Sequence, residues 1–123
     1  MTHLTALATS RLTISCHNFT PPSAPHRVNW SSDAYTTKDE HFVIFESEGN
    51  PDFSVKSDHP NAENYEVDPQ YRLTINEVSI MDDPGRYECG MIFTSGEERV
   101  HKYQLSVGGT YTFCLCHAVL HKS

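Results

Sequence analysis

The amino-acid sequence predicts an all-β fold, two antiparallel sheets packed face to face. Three observations lead there. Apolar residues recur with period two in short runs, such as Val28 and Trp30, Leu73 and Ile75, and Tyr103, Leu105 and Val107. Turn residues separate the runs, among them Gly49, Asn50 and Pro51, and the MDDPG and TSGEE segments. No stretch of convincing length carries the period of a helix. Roughly seven to nine short strands in a chain of this size bury a core only by packing one sheet on another.

Taken in order, Leu12, Ile14 and Cys16 alternate with Thr13, Ser15 and His17, the pattern of a strand with one buried face. The next stretch holds Pro21, Pro22 and Pro25, which a central ladder excludes, so it is a loop. Val28 and Trp30 then face inward, with Asn29 and Ser31 outward. A polar break over residues 31–40 leads to HFVIFE, a strongly apolar strand in which Phe42 and Ile44 compete with Val43 and Phe45 for the inner face. The turn at Gly49 leads into a short FSVKS segment. The acidic link from Asp58 to Pro69 has no useful period and reads as loop or weak edge strand. Leu73 and Ile75 restore the alternation, and Val78 caps that layer. Tyr87, Cys89 and Met91 share the inner face, leaving Glu88, Gly90 and Ile92 outside. The last strand turns Tyr103, Leu105 and Val107 inward and Lys102, Gln104 and Ser106 outward.

A chain of 123 residues supports one core rather than two. We expect one domain over residues 1–108, with residues 109–123 a tail, the start of a stalk or a non-native extension. With 16 acidic and 9 basic residues the formal charge is -7, which repels a nucleic-acid backbone or an anionic membrane, so neither is an expected partner. No run of about 18 apolar residues is present to span a membrane. The opening MTHLTALATS has neither the basic start nor the apolar run of a leader, so signal and anchor segments are expected outside these residues.

Four cysteines are unevenly spaced. Cys16 and Cys89 fall in strands that read as central, whereas Cys114 and Cys116 are too close for an easy mutual bond. A Cys16–Cys89 disulfide would close a loop of about 73 residues and contribute roughly 4 kcal/mol on the chain-entropy model, a large share of a small domain's stability. It would imply an oxidising compartment. Two buried free thiols are the alternative.

The ordered set Cys16, Trp30, Asp83, Gly85, Tyr87 and Cys89, the last four within DPGRYEC, resembles the signature of the immunoglobulin superfamily over roughly residues 4–107. The resemblance implies a Greek-key β-sandwich with a Cys16–Cys89 disulfide between the sheets, Trp30 packed on that bond, and the Tyr87 hydroxyl bonded back to the turn backbone. The stretch between Trp30 and Cys89 leaves room for two strands beyond a compact constant-type sandwich, and HFVIFE takes the place of the first. The variable type (V-set) is thereby implied, with an abbreviated intermediate type as the alternative. Variable domains usually pair the aspartate of this turn with an arginine; Asp83 matches, but the corresponding stretch offers Lys56, and Arg72 lies on another strand. YECG is similar to the strand seen in receptors related to the polymeric-immunoglobulin and myeloid families, although the second disulfide common there is missing. Antigen-receptor domains resemble the chain less well, because no Phe/Trp-Gly-x-Gly motif precedes the last strand.

The resemblance implies an extracellular domain of an immune-type cell-surface receptor that binds a protein ligand through its outer sheet face and end loops. Homophilic adhesion to a like domain on another cell, with a homodimer, is one alternative; a secreted immune-recognition module and a non-binding spacer are others. Candidate contact residues on the outer face are Glu88, Gly90, Ile92, Lys102 and Gln104, with one pair from Phe42, Val43, Ile44 and Phe45. Whichever pair faces out would join Ile92 in an apolar patch of the sort that marks interaction surfaces. Three loops, roughly 18–27, 47–52 and 94–99, gather at one end, and the last presents Glu97, Glu98 and Arg99, a bias toward a basic partner. Asn18-Phe19-Thr20 and Asn29-Trp30-Ser31 are candidate N-glycosylation sites, the second on the outer face.

Catalysis is not expected. The 8 histidines are dispersed, and the acidic link lacks the donor spacing of an EF-hand. The one tight grouping, Cys114, Cys116, His117 and His121, would take a soft metal only if the tail were preformed. No phosphate-cradling glycine loop and no nucleophile elbow is present. Neither cofactor nor metal is expected.

Overall fold

The computed structural model describes residues 1–16, 25–34, 42–48 and 52–108. Among these, eight strands follow in order: β1 Thr2–Leu7, β2 Leu12–Ile14, β3 Pro25–Ser32, β4 Phe42–Glu48, β5 Tyr65–Val67, β6 Leu73–Ile75, β7 Gly85–Phe93 and β8 Glu98–Gly108. They form two sheets, ordered β1-β8-β7-β3-β4 and β2-β6-β5. Every pairing is antiparallel except that of β1, which runs parallel to β8. Strand β1 is not one that alternation predicts, because Ala6 is its only buried residue. Its ladder to β8, from Thr2 opposite Tyr103 to Leu7 opposite Gly108, holds it in place. The acidic link becomes a 3-10 turn, Ala62–Asn64, and the short edge strand β5.

Alternation elsewhere builds the core. Val28, Trp30, Tyr87, Met91, Phe93 and Leu105 from the larger sheet meet Ile14, Leu73 and Ile75 from the smaller, each no more than 2% exposed. Burying a side chain of this size contributes roughly 1.5–3 kcal/mol. The Cys16–Cys89 disulfide spans the two sheets with its Cα atoms 5.4 Å apart. Trp30 lies directly opposite Cys89 across the β3–β7 ladder and stacks on Tyr103 at 6.3 Å. Its indole N–H donates to the Tyr71 carbonyl at 2.8 Å, so the one polar atom of the ring is satisfied inside the core. The Tyr87 hydroxyl donates to the Asp83 carbonyl at 2.8 Å, in the arrangement the resemblance implies. The Asp83 carboxylate accepts the Ser79 N–H. The two basic residues weighed as its partners are engaged elsewhere, Lys56 with Glu46 at 3.4 Å and Arg72 with Asp68 at 2.7 Å.

HFVIFE follows neither of the two facings that alternation offers. Strand β4 pairs Phe45 with Trp30 and Val43 with Ser31, leaving Ile44 as an extra residue in a β-bulge. Ile44 and Phe45 are therefore both in the core, each 0% exposed. Phe42 is half-buried, with its ring against that of His59 at 5.5 Å. Only Val43 of the four faces outward, so Phe42, Ile44 and Phe45 are corrected from candidate contact residues to packing residues. FSVKS forms no strand; Phe53 stacks on Phe45 at 6.2 Å, and the Lys56 N–H bonds the Ile44 carbonyl at 2.8 Å, covering β4 at its bulge.

Candidate partner-binding face

Side chains that alternate with the buried ones make the outer face of the five-stranded sheet. The strand registers set them in rows running from β8 through β7 and β3 to β4. Glu98, Ile92, Arg27 and Glu48 form the first row; Val100, Gly90, Asn29 and Glu46 the second; Lys102, Glu88, Ser31 and Val43 the third; Gln104 beside Arg86 continues it. The structure thus brings together the expected Glu88, Gly90, Ile92, Lys102 and Gln104 with Val43. It adds Val100, Arg27, Glu46 and Glu48, which sequence reasoning left out. Val100 is the most exposed apolar residue of the face, at 57%, against 37% for Val43.

Gly90 is the low point of the face. A Cβ there would stand 2.8 Å from Asn29 Oδ1, so the absence of a side chain on β7 is what lets the Asn29 amide lie across the strand. Around it is an open depression of about 470 Å³, with Ile92 and Val100 on one flank and Glu46 and Glu48 on the other. Glu48 lies 3.6 Å from His26 and 3.9 Å from the Arg27 guanidinium. All these pairs are exposed, and such pairs contribute about 0–1 kcal/mol each, so they order the rim more than they stabilise the fold.

The β7–β8 turn closes the first row. Phe93 and Glu97 bond through N–H and carbonyl, and the Gly96 N–H returns to the Phe93 carbonyl, both at 2.8 Å. Gly96 takes a φ of +90°, which a side chain would resist. The start of β3, the end of β4 and this turn lie at one end of the sheet, as the registers require. The loop is less acidic than its sequence suggests, because the Arg99 guanidinium pairs with Glu97, while Glu98 faces the first row. Asn18, most of the 18–27 loop, residues 49–51 and the group Cys114, Cys116, His117 and His121 lie outside the described residues. Among the described residues no group of three or more His, Cys, Asp or Glu is arranged to hold a metal ion, and no helix is long and apolar enough to cross a membrane.

No family model matches the sequence, and no curated protein matches it. Solved structures do. The first immunoglobulin-like domain of human CD48 antigen is similar at a TM-score of 0.69 and 22% identity, covering 89% of this chain and 84% of that one. Murine CRIg is similar at 0.65 and 16%, covering 86% and 92%. The extracellular domains of the voltage-gated sodium channel beta4 subunit, described as parallel homodimers that explain a role in cell-cell adhesion, are similar at 0.61 and 13%, covering 89% and 92%. At these identities the likeness speaks for the fold. Together with the two-sheet strand order, the parallel β1–β8 edge and the Cys16–Cys89 disulfide, it shows that the chain has the fold of a variable-type immunoglobulin-like β-sandwich.

Proposed function

We propose that the chain is the protein-recognition domain of an extracellular, immune-type receptor and that it binds a protein ligand through the outer face of β8, β7, β3 and β4. One observation carries this reading: Val100 and Ile92 flank a depression floored by Gly90, and Val43 is exposed farther along the same sheet face, which has no packing role in the core. A solvated face does not need these apolar side chains, and apolar residues within a charged rim are the usual anatomy of a contact surface. The disulfide suits an oxidising, extracellular setting, and a glycan on Asn18 would suit the same setting. The immune-type part of the reading is supported by likeness to CD48 antigen and to NKp44, described as a natural killer cell receptor and a triggering partner in natural cytotoxicity.

The test is staining of leukocytes with fluorescent tetramers of glycan-free chain, refolded from bacteria and carrying Cys114→Ser and Cys116→Ser. Staining lost in Val100→Glu and kept in Arg11→Glu, a change at the other sheet, supports the reading; equal staining by both variants refutes it. Recognition of a like domain is the second reading, supported by the homodimers described for the beta4 subunit. Solution mass across a concentration series separates the two. A dimer that Ile92→Glu abolishes favours the like domain, and a monomer at every concentration favours an unlike ligand.

A further inference from the structure

Asn29 stands in the middle of the proposed binding face. It lies on β3 between Glu46 of β4 and Gly90 of β7, and its side chain is exposed while Val28 and Trp30 on either side are buried. Its amide oxygen rests over Gly90. The amide nitrogen is not among the atoms within 4 Å of the point where a Gly90 Cβ would be, and the residue as a whole is exposed on the outer face. Ser31 supplies the hydroxyl two residues on, completing an acceptor pattern for N-glycosylation. From this geometry we infer that Asn29 carries an N-linked glycan and that the glycan shields the face.

The attachment chemistry is that of a lipid-pyrophosphate-linked oligosaccharide. The Asn29 Nδ2 forms a bond to the C1 carbon of the first sugar, the bond from C1 to the pyrophosphate oxygen breaks, and the lipid pyrophosphate leaves. The amide proton passes to a base of the transferase. In the folded domain β3 is laddered on both sides, to β4 and to β7, so its backbone cannot bend into an enzyme active site. Transfer therefore precedes closure of the sheet, and occupancy is set while the chain is being made. The exposed side chain of Asn29, beside an open depression, leaves room for the product. A sugar fixed there stands above the depression, in the path of any partner that would reach Val100, Ile92 and Glu46. Chains made without the sugar present the face; chains made with it do not.

The inference rests on the binding-face reading for its consequence, and on Asn29 alone for the modification. Its test uses the full chain secreted from mammalian cells and a Fab raised against glycan-free chain refolded from bacteria, chosen because Val100→Glu abolishes its binding. Peptide mapping is expected to find hexosamine on Asn29, and the Fab is expected not to bind the secreted chain. Binding should return in Ser31→Ala and after the glycan is cut from the folded chain by an amidase, which leaves aspartate at position 29, with bacterial Asn29→Asp chain as the control for that charge. An unmodified Asn29 overturns the inference, and so does full Fab binding to chain that is glycosylated there. Neither result depends on a natural ligand, so failure of the recognition reading, seen as cell staining indifferent to Val100→Glu, is read separately.

Discussion

Replacing Asp68 by alanine should loosen the core from outside. Asp68 begins the turn between β5 and β6. Its carboxylate accepts the N–H groups of Gln70 at 2.9 Å and Arg72 at 3.0 Å and the Arg72 guanidinium at 2.7 Å, while its carbonyl accepts the Tyr71 N–H at 2.8 Å. These bonds hold Tyr71 at a φ of +61°, a conformation that costs a non-glycine residue roughly 1–2 kcal/mol. Held there, the Tyr71 carbonyl accepts the buried indole N–H of Trp30. Asp68→Ala removes two charge-assisted bonds to backbone, and by the scale of helix caps and of hydrogen bonds to charged groups the loss is about 1–2 kcal/mol. The exposed pair with Arg72 adds little. For a domain of this size the loss lowers Tm by about 4–9 °C.

Trp30 is the only tryptophan, so fluorescence during urea unfolding, together with exchange of its indole hydrogen, reads the affected site directly. Burial tends to raise the Asp68 pKa, but the bonds from Arg72 and Gln70 and the Arg72 charge outweigh it and hold the carboxyl below its usual value. A carboxyl depressed in the fold adds stability above its unfolded pKa, about 3.9, and loses it as pH falls through the folded value. The two proteins should therefore converge in stability as the acid range is entered. A gap that stays constant into acid would refute a role for the charge. No gap at neutral pH would show that the turn holds Tyr71 without Asp68.

Two further outcomes test separate parts of the fold. His59 is 5% exposed, its ring edge-on to Phe42 at 5.5 Å and Tyr65 at 5.1 Å, with Nδ1 accepting the Asn61 N–H at 3.0 Å. Burial pushes its pKa down and the Asp58 charge only partly opposes this, so protonation is harder in the fold than in the unfolded chain. Stability should fall as pH drops below about 6.5, and His59→Gln should remove that slope; urea melts with the same slope in both proteins would exclude His59 as its source. Gly96→Ala meets no atom within 4 Å, so its expected cost, about 1 kcal/mol, is that of the φ of +90° alone. A thermal melt unchanged by the substitution would mean that the β7–β8 turn reshapes freely.

Much of the inner face could be read from the sequence because period-two alternation and burial have the same cause there. Val28, Trp30, Tyr87, Cys89, Met91, Tyr103 and Leu105 all lie where alternation puts them. Strand β1 escaped because a strand that buries only Ala6 leaves no apolar stripe; what fixes it is a backbone ladder, to which side-chain chemistry is nearly blind. The Asp68 turn escaped for a different reason. Its residues read as a charged loop, and their purpose emerges only when the Tyr71 carbonyl is seen to face Trp30, a residue far away in sequence.

The outer face shows both a signal that was present and one that was not. Lys102 and Gln104 outward imply Val100 outward by the same parity, and the residue is found by starting the strand at Glu98 rather than at His101. The parity of β4 offers no such help, since it changes inside the strand. With Val43 outward, strict alternation would turn Phe45 and Ser47 out as well, giving an apolar face with an aromatic anchor. The extra residue Ile44 instead returns Phe45 to the core and brings Glu46 and Glu48 to the surface opposite Asn29 and Arg27. One inserted residue thus exchanges a phenyl ring for a carboxylate on the β4 flank of the depression. The chemistry a partner would meet there is set by backbone register, which no count of apolar residues contains.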